Sequence, residues 1–359
     1  MSNSSNNTSR IDNRIDHNCR RIPNTLYRFY GHVGDYLTSV TQQWVLPAPY
    51  ANPGMLEMFR DRDRVPLRCM RAWAGEFAGK YLTHAVQIYR LTKETELYEH
   101  LKGFVEELCS LQADDGYLGP WPKEYRLTGR APNLNYPSYK PGTQWAFEKW
   151  GYYMVEPHQE SARTLDQTRV WDTWGHYHIM LGLLLWYETT NDRNALKCAS
   201  NIADLMCSKF LPDGESKRMV DTGSVEMNLA PVHSLAMLYS VVGNKRYLDL
   251  AIKIVEEFSA TDLENSDDDV AGDYLNVGLR NEPFYSSPKP RWESLHPIMG
   301  LAELYWITGN RDYRCAFENL WWSMLETDRH NNGGFTSDEG TQGNPYHQGA
   351  IETCCTIAW

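Results

Sequence analysis

The sequence lacks the long apolar segments and the basic surface of a protein that works in a membrane or on nucleic acid. Its longest apolar run, Ile179–Tyr187, is much shorter than the roughly 20 residues of a membrane helix. The 359 residues carry a formal net charge of −11. Phosphate backbones and anionic lipid surfaces both select clustered Lys and Arg, so we expect no nucleic-acid partner and no membrane association.

Neither an export signal nor a disulfide framework is visible in the pattern. After Met1 the chain starts with a polar run of Ser, Asn and Thr, and no apolar signal segment follows it. The 8 cysteines are scattered along the chain, which is typical of reduced thiols. The sequence therefore predicts a cytoplasmic protein with a disordered tail over residues 1–20 and a single domain over residues 21–359.

Signals for β-strands are few, and a helical pattern recurs instead. An amphipathic segment ends in a tyrosine, a polar turn follows, and a second amphipathic segment begins. One hairpin cannot bury both of its faces, so repeated hairpins must stack. Because the hairpins are unequally spaced, we expect an all-α closed toroid, an α/α barrel, with long loops at one rim. The turns are anchored by Tyr89, Tyr187, Tyr239 and Tyr305, and Gly243-Asn244 is expected to end its helix in a left-handed turn.

Two stretches between the hairpins stand out. Gly, Pro and aromatic residues crowd residues 114–139, which we interpret as a long loop. Flat rings stack on sugars, so Trp121 in this loop is a candidate substrate contact, although core packing explains most aromatic residues in such a chain. The longest interval between hairpins predicts a further helix pair or a lid around residues 145–156.

Histidines and a carboxylate–thiol pair are the candidate chemical groups. His178 and His296 lie near the starts of the helices that precede Tyr187 and Tyr305, and in a toroid such helix ends share a rim. Capping or core packing is the alternative for each. Glu352 and Cys354 are both possible zinc ligands if the chain is non-helical there. A surface glutamate beside buried thiols is the alternative reading of that short pattern.

The final segment, Gly-Ala-Ile-Glu-Thr-Cys-Cys-Thr-Ile-Ala-Trp, follows a Gly-Gly turn and an Asp-Glu-Gly, and it resembles the Glu-Thr-Cys motif of glycoside hydrolase family 127, the β-L-arabinofuranosidase family. Three upstream segments, which begin at Gly79, Leu111 and Gly175, resemble the same catalytic barrel. The likeness covers the chain from about residue 25. It implies an (α/α)6 barrel that removes a terminal L-arabinofuranosyl residue with retention, using a cysteine nucleophile held by zinc.

The resemblance also assigns residues. It implies that Glu352 and Cys354 are zinc ligands and that Glu339 is the acid/base, with Asp338 as a substitute. His178 and, less closely, His296 match sugar-binding histidines, and we add Trp121 and Tyr346 as aromatic substrate contacts. Where the family often has a third histidine, this chain has Asn228, with His233 more than a turn away.

One family motif is missing from this sequence. The Cys-Cys-Pro that carries the family's nucleophile lies downstream of Glu-Thr-Cys, so we expect a truncated chain. Two alternatives stay open: another (α/α)6 sugar enzyme, such as an unsaturated uronyl hydrolase or an epimerase, and a non-catalytic carbohydrate-binding relative.

Overall fold

The computed structural model describes residues 27–65, 67–68, 70–132, 167–264, 270–336, 339–347 and 351–359, without the side chains of 167, 168, 336, 352 and 354. These residues form two compact units. The first takes the described residues of 21–231 and 262–269, and the second those of 232–261 and 270–359. The predicted tail and the predicted helix pair or lid around 145–156 lie outside the described residues. The single domain stays a prediction.

Helices dominate both units. In the first unit the α-helices are α1 (Gly31–Val40), α2 (Ala48–Ala51), α3 (Gly54–Arg60), α4 (Glu76–Thr92), α5 (Thr95–Ser110), α6 (Asp172–Thr190), α7 (Arg193–Phe210) and α8 (Val225–Asn228), with a π-helical turn at Thr41–Val45. The next helix, α9 (Pro231–Val242), starts at the unit boundary. The second unit continues with α10 (Lys245–Glu256), α11 (Tyr274–Leu279), α12 (Leu295–Thr308), α13 (Arg311–Thr327) and α14 (Thr353–Ala358). Short 3₁₀ turns lie at Lys123–Tyr125, Val220–Thr222, Glu257–Ser259, Phe284–Ser286 and Trp292–Ser294.

Strand pairing among the described residues is limited to short antiparallel pieces. Strand β1 (Arg130–Pro132) pairs with β2 (Gln167–Arg169), and Arg130 lies opposite Arg169. Strand β3 (Phe335–Thr336) pairs with β4 (Ile351–Glu352). In the described part of the chain, no helix has the length and apolar character to cross a membrane.

The four predicted hairpins are present as α4/α5, α6/α7, α9/α10 and α12/α13. Each first helix ends in a left-handed residue four positions after its tyrosine, namely Lys93, Asn191, Gly243 and Gly309. The N–H of that residue donates to the tyrosine carbonyl at 2.7–2.8 Å. This closing bond satisfies a carbonyl that the helix end would leave without a partner. The predicted left-handed turn at Gly243 is confirmed.

The second helix of a hairpin starts from a polar cap where the sequence provides one. Asp192 Oδ1 accepts hydrogen bonds from the N–H groups of Asn194 and Ala195, at 2.9 and 3.2 Å. Asn244 and Asn310 cap α10 and α13 in the same way. Because an Asp or Asn cap stabilises a helix start by about 1 kcal/mol, the polar turns that the sequence repeats both end one helix and start the next.

Helices α4 and α6 pack in parallel at very close range. A Cβ placed on Gly79 of α4 would lie 2.5 Å from the carbonyl oxygen of His178 in α6, so only glycine allows this approach. One end of the pair is tied by Arg90, whose guanidinium donates to Leu185 O and Thr189 Oγ1 at 2.9 and 2.7 Å. Helix α6 is buried around its circumference over most of its length, whereas its hairpin partner α7 has one exposed face.

Candidate functional site

The parallel packing brings the amino-terminal ends of α4 and α6 side by side. Gly75, which precedes α4, has φ 106°, a conformation that L side chains rarely adopt. A Cβ on Gly175 of α6 would lie 3.4 Å from the carbonyl carbon of Gly75. The N–H of Trp171 donates to Ala72 O at 2.8 Å, which ties the two chain segments that enter these helices. Side chains from both helix starts therefore share one small region.

A buried carboxylate lies at this junction. Glu76, in the first turn of α4, is 4% exposed. Its Oε2 accepts a hydrogen bond from the indole Nε1 of Trp174 and lies 3.0 Å from Nζ of Lys80. The Lys80 ammonium also lies 5.4 Å from the ring centroid of Trp174, in cation–π contact. A buried carboxylate is stable when it is paired and hydrogen-bonded, and Glu76 meets both conditions.

Two half-buried indoles lie on the chain segments that enter α4 and α6. The rings of Trp73 and Trp171 have centroids 5.6 Å apart and are tilted by 44°. Both are partly exposed, unlike Trp174, which is buried. We call Trp73 and Trp171 the indole shelf. Neither these residues nor Glu76 were predicted as site residues from the sequence. A usable signal was present, because Trp171 stands immediately before α6 and Trp73 three residues before the start of α4, and both helices belong to the repeat.

His178, predicted to bind sugar, lies one turn further along α6. Its ring packs edge-on against Trp174, with centroids 4.4 Å apart, and beside Tyr177. The residue is 4% exposed, so the predicted contact would involve a small part of the ring. The sugar-binding role of His178 stays a prediction.

The stretch predicted as a long loop is held by a buried network from α6. Tyr117 Oη donates to the Asp172 carboxylate at 3.0 Å, and the N–H of Leu127 donates to the same group at 2.8 Å. His176 Nε2 accepts from the N–H of Leu118 at 3.1 Å, so its proton is on Nδ1, which faces Asp172 O at 2.8 Å. Burial, with the nearby Asp172 carboxylate, raises the pKa of Tyr117 well above its ordinary value. This network positions the loop.

Trp121 lies within the same packed stretch. It is 1% exposed, and its N–H donates to Tyr117 Oη at 3.2 Å. Its burial agrees with core packing, the alternative given for the aromatic residues of this chain. Its predicted role as a substrate contact stays a prediction.

In the second unit, Glu339 sits in an ion-pair cluster. Its Oε2 lies 2.6 Å from a guanidinium nitrogen of Arg291, and the side chain is 61% exposed. Arg291 also binds Glu293 at 2.7 Å. Glu339 has φ 62°, a left-handed conformation that costs energy for a residue other than glycine. Asp338, the substitute acid/base, lies outside the described residues.

Hydrogen bonds on both sides of Glu339 fix its loop. The N–H of Trp292 donates to Glu339 O at 3.4 Å, and the N–H of Thr341 donates to Pro290 O at 2.8 Å. Asp328, which is buried, accepts from the N–H groups of Gln342 and Gly343 at 2.7 and 2.9 Å. The carboxylate of Glu339 is thus presented to solvent from an anchored backbone.

The proposed zinc ligands follow a short strand. Glu352 is in β4 and pairs with Phe335, four residues before Glu339. Cys354 is in the first turn of α14, so the non-helical backbone assumed for both residues holds only for Glu352. Neither side chain is among those described. Among the side chains that are described, no group of three or more His, Cys, Asp and Glu is arranged to hold a metal ion. Zinc stays a prediction.

The remaining predicted sugar contacts differ in exposure. His296, in the first turn of α12, is half-buried, and Tyr346 is 86% exposed. Convergence of His296 with His178 stays a prediction, because they belong to different units.

Asn228, which stands in place of a family histidine, is buried. Its Nδ2 donates to Gly223 O at 2.8 Å, which gives it a structural contact. Burial lowers the pKa of the neighbouring candidate His233 to about 4, which keeps that ring neutral at pH 7.

Comparison with known proteins agrees with the resemblance seen in the sequence. The model of the beta-L-arabinofuranosidase GH127 catalytic domain matches residues 24–359. No curated protein matches the chain.

Solved structures agree with this match. A GH127 beta-L-arabinofuranosidase from Geobacillus stearothermophilus T6 has a TM-score of 0.59 at 16% identity, over 90% of this chain and 49% of that protein. A second GH127 beta-arabinofuranosidase has a TM-score of 0.58 at 17% identity, over 91% and 48%. This likeness confirms the predicted all-α fold of the (α/α)6 class. The chain spans about half the length of these relatives.

Proposed function

The chain belongs to glycoside hydrolase family 127, the beta-L-arabinofuranosidase family, and we propose that it acts in removing terminal L-arabinofuranosyl residues from an oligosaccharide or glycoside. The observation that carries this proposal is the match of the catalytic-domain model to residues 24–359. Two structurally similar proteins are beta-arabinofuranosidases, which supports this substrate class. A cytoplasmic location stays a prediction from the sequence.

We propose Glu339 as the acid/base. In a retaining glycosidase one carboxyl group protonates the leaving oxygen and then takes a proton from the attacking water. The exposed Glu339 carboxylate has the access that both steps need. Arg291 contacts two carboxylates, Glu339 and Glu293. This cluster therefore holds one cation and two anions, so one carboxyl group can accept a proton without leaving Arg291 unpaired.

The proposed mechanism is hydrolysis with retention through a zinc-bound cysteine. Carboxylate and thiolate are both zinc donors, so Glu352 and Cys354 are suited to two of the four positions of such a site. When bound, zinc would keep thiols deprotonated at neutral pH. Elemental analysis is expected to find less zinc in Cys354→Ser than in Cys315→Ser, which alters an exposed thiol. Equal zinc content in both variants, or none in the parent protein, would contradict this assignment.

The central test is hydrolysis of a nitrophenyl β-L-arabinofuranoside by the complete protein, with the anomeric form of the released sugar followed by NMR. Glu339→Gln is expected to lower kcat by about 10²–10⁴, the range typical of a lost general acid/base. Glu282→Gln is the matched control, because Glu282 is also half-exposed and lies 2.8 Å from an arginine, Arg280. An unchanged kcat in Glu339→Gln would refute the role of Glu339.

A folded parent protein that binds L-arabinofuranosides without releasing arabinose would favour the non-catalytic alternative. Release of a different sugar, or an epimerised product, would favour another (α/α)6 enzyme. In either case the family membership would stand and the proposed reaction would be wrong.

A further inference from the structure

We propose that the indole shelf, Trp73 and Trp171, is a binding subsite for a neutral sugar ring of the substrate. The inference rests on the proposed carbohydrate function and adds a site to it. None of the residues that the family resemblance assigned belongs to the shelf. Its support comes from the geometry at the starts of α4 and α6.

The exposure of the two rings is the first argument. In the same unit Trp121, Trp174 and Trp186 are nearly inaccessible, whereas Trp44 is 55% exposed. Trp73 and Trp171 instead remain half-buried although they touch each other. The exposed parts of two neighbouring indoles leave apolar area in contact with water, which is unfavourable. A ligand that stacks on the rings removes this area from water.

The shape of the pair is the second argument. With centroids 5.6 Å apart and a tilt of 44°, the two rings form an open angle and not a flat stack. The C–H face of one sugar ring can lie on one indole while its edge meets the other. The backbone bond from Trp171 to Ala72 and the contact of Trp171 with the core around Trp174 and Tyr177 hold this angle in place.

The polar groups in the first two turns of α4, the helix that Trp73 precedes, bear on the charge of the ligand. Lys80 Nζ lies 3.0 Å from Glu76, so the two opposite charges largely cancel. The Lys80 side chain is 40% exposed, and an ammonium has three N–H donors, which leaves it able to bind a hydroxyl as well as Glu76. Hydroxyl recognition beside an aromatic surface fits a neutral sugar. Arg71, whose guanidinium lies 5.8 Å from the Trp73 centroid, adds one positive charge at the edge, so a sugar acid must be tested as a competitor.

Binding is measured by isothermal titration of the full chain with methyl β-L-arabinofuranoside and, separately, with D-galacturonate. Trp73→Ala and Trp171→Ala are each expected to weaken binding of the arabinofuranoside by about tenfold, equivalent to about 1.4 kcal/mol. Trp73→Phe is expected to restore most of the affinity, because it keeps an aromatic face. Trp44→Ala is the matched control. Trp44 is 55% exposed, belongs to the same unit and also has an aromatic contact, with His84.

The outcomes separate the shelf from the proposed reaction. Weaker binding in the two shelf variants, with unchanged binding in Trp44→Ala and native circular dichroism in all, supports the subsite even if no hydrolysis is seen. Equal affinity in parent and shelf variants overturns it even if Glu339→Gln is inactive. Absence of arabinofuranoside binding by the parent chain overturns it as well. Tighter binding of D-galacturonate than of the arabinofuranoside overturns the assignment to a neutral sugar.

Discussion

Replacement of Gly79 by alanine tests the close packing of α4 and α6 on which the first unit depends. The new Cβ would lie 2.5 Å from His178 O, almost 1 Å inside the 3.4 Å at which ordinary contact begins. The obstacle is helix backbone, which cannot rotate away as a side chain can. The two helices must therefore separate, and overpacking of this kind costs about 1–3 kcal/mol.

Gly103→Ala is the same substitution at a site where it is expected to raise the free energy of unfolding. Gly103 lies in the middle of α5, is exposed, and would have nothing within 4 Å of a new Cβ. Alanine in an open helix interior stabilises by up to about 1 kcal/mol relative to glycine. Gly79→Ala gains the same propensity term but also meets the steric cost, so the two variants should differ by about 1–3 kcal/mol in free energy of unfolding.

Urea unfolding followed by far-UV circular dichroism measures this difference, and calorimetry gives the matching order of the melting temperatures. The expected order is Gly103→Ala, then the parent protein, then Gly79→Ala. If Gly79→Ala is as stable as Gly103→Ala, the two helices do not pack as closely as described. The contact between Glu76 and Trp174, which requires that close packing, would then be wrong as well.

Two further predictions concern polar groups that the fold shields from water. Asp172→Asn should destabilise the protein by about 1–3 kcal/mol, because the amide turns a donor toward Tyr117 Oη or the N–H of Leu127, whereas Asp249→Asn on the exposed face of α10 should change urea stability little. His233, with a native pKa of about 4 against 6.5 when unfolded, binds its proton more readily in the unfolded chain. Its contribution is complete above pH 6.5 and is lost as the pH falls to 4, at up to about 1.4 kcal/mol per pH unit. The unfolding free energy of His233→Gln should therefore fall less steeply over this window, and an equal slope would contradict the lowered pKa of the native ring.

Features set by a few consecutive residues could be predicted from the sequence. The hairpin turns depend on a tyrosine carbonyl and on a left-handed residue four positions later, so Gly243 was identified without knowledge of the tertiary structure. The Glu-Thr-Cys segment was recognised for the same reason, because its information lies in adjacent residues. The family match over residues 24–359 confirms that recognition.

Features set by partners far apart in sequence could not be predicted. Trp121 and Tyr117 lie among Gly and Pro residues, a composition that indicates a loop and does not predict the burial of these rings. In the fold, Asp172 supplies the acceptor for Tyr117 from 55 residues away and draws the loop inward. The burial of Glu76 could not be predicted from its sequence position, since an acidic residue in the first turn of a helix is common and usually solvated. Its burial depends on the indole of Trp174 from another helix.

The same glycine contact connects stability with the sugar binding that we propose for the shelf. Trp174 reaches Glu76 because Gly79 lets α6 approach α4, and the shelf residues Trp73 and Trp171 precede these two helices. A variant that separates the helices should therefore weaken binding at the shelf as well as stability. Gly79→Ala should show both losses at a temperature where it is still folded, whereas Asp172→Asn, which loosens the loop around Tyr117, should lose stability with a smaller loss of binding. If Gly79→Ala is less stable but binds the sugar as tightly as the parent protein, binding at the shelf does not depend on the helix contact.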